Sequence, residues 1–161
     1  MKKLLIIGLC LLLAAVLLIG SVVALYIGMV ITNDVIAANV ERELLKMPLP
    51  GDTILMDSVS IAGKLVGNGN GMQYMGSILV ISHLSEEELY DYYSEAFDYV
   101  EVRKQETQKI DFINSQDYSF ELFGDPNHHD HYSVTCWGSP EDVGIGGFLA
   151  TVLLNFDLRG H

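Results

Sequence analysis

The residues best suited to chemistry form one short run, Asp125-Pro126-Asn127-His128-His129-Asp130-His131, which holds three of the chain's five histidines. Imidazole nitrogens and carboxylate oxygens are ligands of zinc and of other divalent transition metals. The Pro-Asn pair indicates a turn, which would let side chains converge. The candidate metal ligands are therefore Asp125, His128, His129, Asp130 and His131.

A polar surface loop explains the same run without a metal. In an extended chain His129 and His131 lie about 6.6 Å apart on one face, while His128 and Asp130 point to the other. A catalytic role for such a metal would need a second element, for which His83 is the spare histidine. The contiguity of the run favours the loop, and the metal site remains the alternative.

No catalytic motif is recognisable in the sequence. The Gly-x-Ser-x-Gly, His-Glu-x-x-His and Ser-x-x-Lys patterns are absent. Two glycine runs, 67–71 and 144–147, lack the lysine of a phosphate-binding loop, and the segments that follow them are predicted strands rather than helices. We therefore predict a non-enzymatic protein with no catalytic residues and no cofactor other than the alternative metal.

The N-terminus is dominated by an uncharged apolar run from Leu4 to Ile31, preceded by Lys2 and Lys3. As a helix, 28 residues span about 42 Å, more than the hydrocarbon core of a bilayer requires. A cleaved signal has an apolar stretch of only about 7–15 residues, although a cut after Ala24 is conceivable. Cys10 lies too early in the run for lipid attachment. The favoured interpretation is an uncleaved single-pass signal anchor.

Orientation follows from the distribution of charge. Lys2 and Lys3 place residues 1–3 in the cytoplasm, so residues from about 33 onward lie outside it, in the cell envelope. Beyond the anchor there are seven basic and 21 acidic residues, a formal charge of −14. So acidic a domain is unsuited to nucleic acid, which needs a basic patch.

Gly20, Ala24 and Gly28 recur every four residues and share one face of the anchor helix. Small residues at this spacing let membrane helices approach closely. Such residues are common in membrane helices, so chance placement is the favoured interpretation, and packing of the anchor against a second copy is the alternative.

Local patterns divide the rest of the chain into four parts. Residues 32–47 continue as a juxtamembrane helix, and 48–52, with Pro48 and Pro50, form a linker before a domain over 53–161. Ser85 and Glu88 form a capping box that starts a helix ending near 97–99. Cys136 alternates with apolar residues, which predicts a buried strand position rather than a reactive thiol.

Alternation of apolar and polar residues predicts strands in the remainder. The predicted strands are 53–66, 72–82, 99–107, 117–123, 132–137 and 148–158. Short turns between them favour antiparallel pairing, with one helix covering one face. We predict an α+β two-layer domain with about five to six strands, which binds a protein or another envelope component.

Overall fold

The computed structural model describes residues 2–67, 71–110, 113, 118–125 and 130–159. Its helices are α1 (Lys2–Lys46), α2 (Glu86–Ser94) and α3 (Phe148–Leu154), with a short 3₁₀ turn at Pro140–Val143. Its strands are β1 (Ile54–Gly63), β2 (Gln73–Ile81), β3 (Val100–Gln105) and β4 (His131–Gly138). This is the predicted α+β class.

Helix α1 has two parts with different surroundings. Over its apolar part the side chains are exposed or only partly covered, and it is the one described helix that is long and apolar enough to cross a membrane. Its last turns bury Ile36, Ala37, Val40 and Leu44 against the sheet. The helix ends before Pro48, whose ring disfavours helix at the preceding residue.

The four strands form one antiparallel sheet in the order β1-β2-β4-β3. In its centre Ile78 pairs with Val134, which also pairs with Val102, so three apolar side chains share one face. That face lies under the end of α1 and under α2. The opposite face is covered by the chain after β3, through Ile110, Ile113 and Phe120.

Two glycines allow the sheet to approach α1 closely. A Cβ at Gly76 would collide with the backbone of Glu41, and one at Gly138 would collide with the Val40 side chain. The core of the domain therefore extends N-terminally beyond the predicted linker at 48–52 and includes the last turns of α1.

The predicted capping box of α2 is confirmed. The Glu88 backbone N–H donates to Ser85 Oγ at 3.2 Å, and the Ser85 N–H donates to Glu88 Oε2 at 2.8 Å. These bonds satisfy donors that the first turn of a helix leaves open. Leu89 and Tyr93 face the core as predicted, but the helix ends at Ser94, before the expected 97–99.

Two predicted strands are not observed, so the described part of the sheet has four strands and not five to six. Residues 148–158 contain α3, because a short apolar run fits either helix or strand and both edges of β4 are already paired. Of the predicted strand 117–123, the structure describes 118–123, and these residues form an isolated bridge between Ser119 and Lys109 but no strand. The prediction of a single covering helix was also wrong, because the last turns of α1 and helix α2 both cover one face of the sheet.

Candidate functional site

The predicted metal ligands are only partly described by the structure. His128 and His129 lie outside the described residues. Asp125 is exposed, and Asp130 forms an ion pair with Lys104 at 2.6 Å. The hydrogen bond and charge of Lys104 lower the pKa of Asp130, against a small opposing effect of burial. This carboxylate is therefore held ionised by a lysine.

His131 begins β4 and is only 1% exposed. Its ring stacks on Phe123 with centroids 4.7 Å apart, and a Cβ at Gly124 would lie 3.0 Å from its Nε2. His83 is exposed. Within the described ranges, no group of three or more His, Cys, Asp or Glu is placed to hold a metal ion. The metal hypothesis thus stays a prediction that depends on His128 and His129.

A buried polar network lies next to His131, on the face of the sheet that carries this histidine. The alternation of apolar and polar residues in the sequence did not predict it. Ser77 and Thr135 share a hydrogen bond of 2.8 Å between their hydroxyls, and Gln105 Nε2 donates to Ser133 Oγ at 2.7 Å. These groups satisfy one another across neighbouring strands, so we assign them a structural role.

A cleft of about 370 Å³ opens between the end of α1, the turn after α2 and the end of β4. Among the described residues, three carboxylates line it, those of Glu43, Asp98 and Asp142, and no lysine or arginine does, although Glu43 is paired with Lys46 at 2.6 Å. The aromatic lining side chains are Phe97, Tyr99 and Trp137. Carboxylates and aromatic faces together attract cationic groups. We call this feature the acidic cleft.

Sequence reasoning missed the acidic cleft. Its lining comes from 39–43, 96–99 and 137–142, three segments that no local pattern connects. The available signals were the acidic composition of the domain and its single tryptophan. Neither of these two signals identifies which carboxylates lie together in the folded chain.

A buried polar junction joins α1 to the C-terminal segment. Asn33 is fully buried; its Nδ2 donates to the Asp157 carboxylate at 2.9 Å and to the Leu154 carbonyl at 3.1 Å. Its Oδ1 accepts a 2.8 Å hydrogen bond from the Tyr74 hydroxyl. Arg159 adds contacts to Asp157 at 2.7 Å and to Asp34 at 2.9 Å. We call this set the Asn33 junction.

The ionisation of the Asn33 junction follows from these contacts. Burial alone would raise the pKa of Asp157, but hydrogen bonds from Arg159 and Asn33 and the charge of Arg159 outweigh it and lower that pKa to about 2. Burial, with the charges of Asp157 and Glu141, raises the pKa of Tyr74 to about 12. Asp157 is therefore an anion and Tyr74 a neutral donor at pH 7.

The other predicted positions belong to neither feature. Gly20, Ala24 and Gly28 lie in the exposed part of α1, and a Cβ at either glycine would meet nothing within 4 Å. Cys136 is buried as predicted, and burial raises the pKa of its thiol to about 12, which makes it unreactive.

Comparisons with protein-family models, with curated proteins and with solved structures found no significant match to this chain.

Proposed function

We propose that this chain is a single-pass membrane protein that displays an acidic, non-enzymatic binding domain outside the cytoplasm. The observation that carries the proposal is the two-part character of α1. Its apolar part is left uncovered by the domain, whereas its last turns are built into the domain core. Exposed apolar surface of this extent is unfavourable in water and favourable in a bilayer.

The orientation is part of the proposal. Lys2 and Lys3 flank the apolar run on one side, and the strongly acidic domain follows on the other. Positive charge is retained on the cytoplasmic side, which leaves the domain outside.

The acidic cleft supports the proposed binding role. Its three carboxylates lie beside Trp137 and Tyr99, an arrangement that suits a lysine or arginine side chain of a partner protein. We propose the cleft as the contact surface for a basic segment.

Anchoring is tested by fractionating cells that express the full chain. We expect it in membranes and resistant to alkaline carbonate, with the domain digested by protease added outside and not by protease added to the cytoplasmic side. Extraction by carbonate, or a processed chain that starts after Ala24, would contradict the anchor.

Binding is tested with the full chain in zwitterionic lipid nanodiscs and an arginine-rich peptide as the probe. Trp137 is the only tryptophan and lines the cleft, so its fluorescence reports on occupancy. Replacing Glu43 and Asp142 by their amides should weaken the fluorescence change. The matched control replaces Glu87 and Asp91, exposed acidic residues of α2, by their amides.

If both double variants weaken binding equally, the peptide responds to net charge and the assignment to the cleft is wrong. If neither variant does, the cleft does not bind basic peptide.

A further inference from the structure

We propose that α3 and residues 155–159 lie in the bilayer surface beside the anchor, as a second membrane contact of this chain. The proposed occupant of the exposed face of α3 is lipid. This inference rests on the proposed anchoring and adds a part of the domain to the membrane-bound surface.

The first observation is the apolar outer surface of α3 and of residues 155–159. The groups that face the domain are mixed: Leu154 of α3 packs into the core, and after the helix Asn155 Oδ1 accepts from the Met72 N–H at 2.6 Å and Asp157 is fully buried. The side that faces outward is apolar. Its exposed side chains are Phe148, Leu149, Leu153, Phe156 and Leu158.

Helical spacing places most of these apolar residues together. At about 100° per residue, 148, 149 and 153 fall on one side of the helix, while Leu154 points the opposite way into the core. In water, so much outward apolar surface conflicts with the tendency of these side chains to be buried. An apolar environment on the outer side removes that conflict.

The second observation is the position along the axis of α1 at which the C-terminal segment packs. The Arg159 guanidinium donates to the Val30 carbonyl at 3.2 Å, and Asn33 contacts Leu154 and Asp157. The C-terminal segment therefore lies beside the point where the apolar run of α1 ends, at Ile31. If that run crosses the bilayer, the apolar face of α3 is at the membrane boundary.

Charge supports hydrophobic insertion over attraction to anionic headgroups. The one basic residue described after residue 109 is Arg159, and it is engaged by Asp34 and Asp157. Amphipathic helices of this kind bury their apolar face about 5–10 Å into the boundary between headgroups and acyl chains. We therefore expect insertion into uncharged phosphatidylcholine.

The test uses the full chain in phosphatidylcholine vesicles with an environment-sensitive fluorophore at an introduced cysteine. Phe148→Cys and Phe156→Cys sample α3; Ile54→Cys is the matched control, since Ile54 is an exposed apolar residue at the opposite end of the sheet. Cys10 is replaced by alanine, and Cys136 is buried. We expect blue-shifted emission from both α3 labels and quenching by lipid-borne quenchers near the headgroups.

The control label should show neither effect. If the α3 labels match it while the chain resists carbonate extraction, the inference is wrong and the anchor stands. Blue-shifted emission without lipid quenching would mean that protein, such as a second copy, covers α3. Release of the whole chain by carbonate would instead contradict the proposed anchoring.

Discussion

Asn33, in the middle of the long N-terminal helix, donates a 2.9 Å hydrogen bond to Asp157, which is fully buried near the other end of the chain. This bond joins the C-terminal segment to α1 at the point where the apolar run ends and the turns that pack against the sheet begin. It also orients α3, because Asn33 binds the Leu154 carbonyl at the same time. The fold near the proposed membrane surface therefore depends on a few polar side chains.

Replacing Asn33 by alanine should destabilise the domain by about 2–4 kcal/mol, since it leaves the Asp157 carboxylate and the Tyr74 hydroxyl short of a buried partner. Denaturant unfolding of the full chain in detergent measures the change. Asn39→Ala, on the same helix but only partly buried, is the control. Equal effects of the two substitutions would contradict a special role for Asn33.

The Asn33 junction should make stability depend on acid. The folded-state pKa of Asp157, about 2, is below the ordinary value near 3.9, so its contribution is complete above about pH 4 and is lost as the pH falls toward 2. The contribution is about 2 kcal/mol. Asp157→Asn should be less stable at pH 7 and should lose less stability between pH 4 and pH 2. Parallel pH profiles for the two proteins would contradict this assignment.

Gly76→Ala should destabilise the domain by about 1–3 kcal/mol, because the new methyl group has to displace α1 from the sheet. Gly51→Ala is the control, since a Cβ there meets nothing within 4 Å. Thermal unfolding of both variants measures the difference. A Gly76→Ala protein as stable as the control would show that α1 does not pack tightly on β2.

A fragment that starts at Pro48 should not fold, whereas one that starts at Thr32 should. The shorter fragment lacks four core side chains of α1, those of Ile36, Ala37, Val40 and Leu44. Losing such side chains costs about 2–5 kcal/mol each for the larger ones, more in total than a small domain's stability. Dispersed amide resonances in mild detergent should appear only for the longer fragment, and their presence in both would exclude the last turns of α1 from the core.

Metal binding by the Asp125–His131 run should be absent if it is a polar surface loop. We expect elemental analysis of the purified full chain to find no stoichiometric transition metal and its melting temperature to be unchanged by a chelator. A metal that is lost on joint replacement of His128 and His129 by alanine would establish the alternative.

The α+β class, the first two strands, the capped helix and the buried Cys136 could be predicted because each has a local signature in spacing or capping. The strand predicted for 148–158 was wrong, since Phe148, Ala150 and Val152 alternate as in a strand while their neighbours Leu149 and Leu153 are equally apolar. The pattern of apolar residues alone does not distinguish a helix from a strand when both faces of the segment are apolar.

The contacts of the Asn33 junction and of the acidic cleft could not be predicted from the sequence. Asn33 looked like the polar end of a membrane segment, and its partners Tyr74 and Asp157 are separated from it by much of the chain. The carboxylates of the acidic cleft come from three segments in the same way. Such sites depend on the sheet order and on where α1 crosses it, which no local spacing specifies.

The continuity of α1 also sets an angular relation between membrane and domain. The helix is unbroken from Lys2 to Lys46, so at about 100° per residue the face of Gly20, Ala24 and Gly28 lies about 160° around the axis from the face of Ile36, Val40 and Leu44. Anchors paired through the small residues would carry their two sheets back to back, on the outer flanks of the pair. Inserting one residue between Gly28 and Asn33 would rotate that alignment by about 100°.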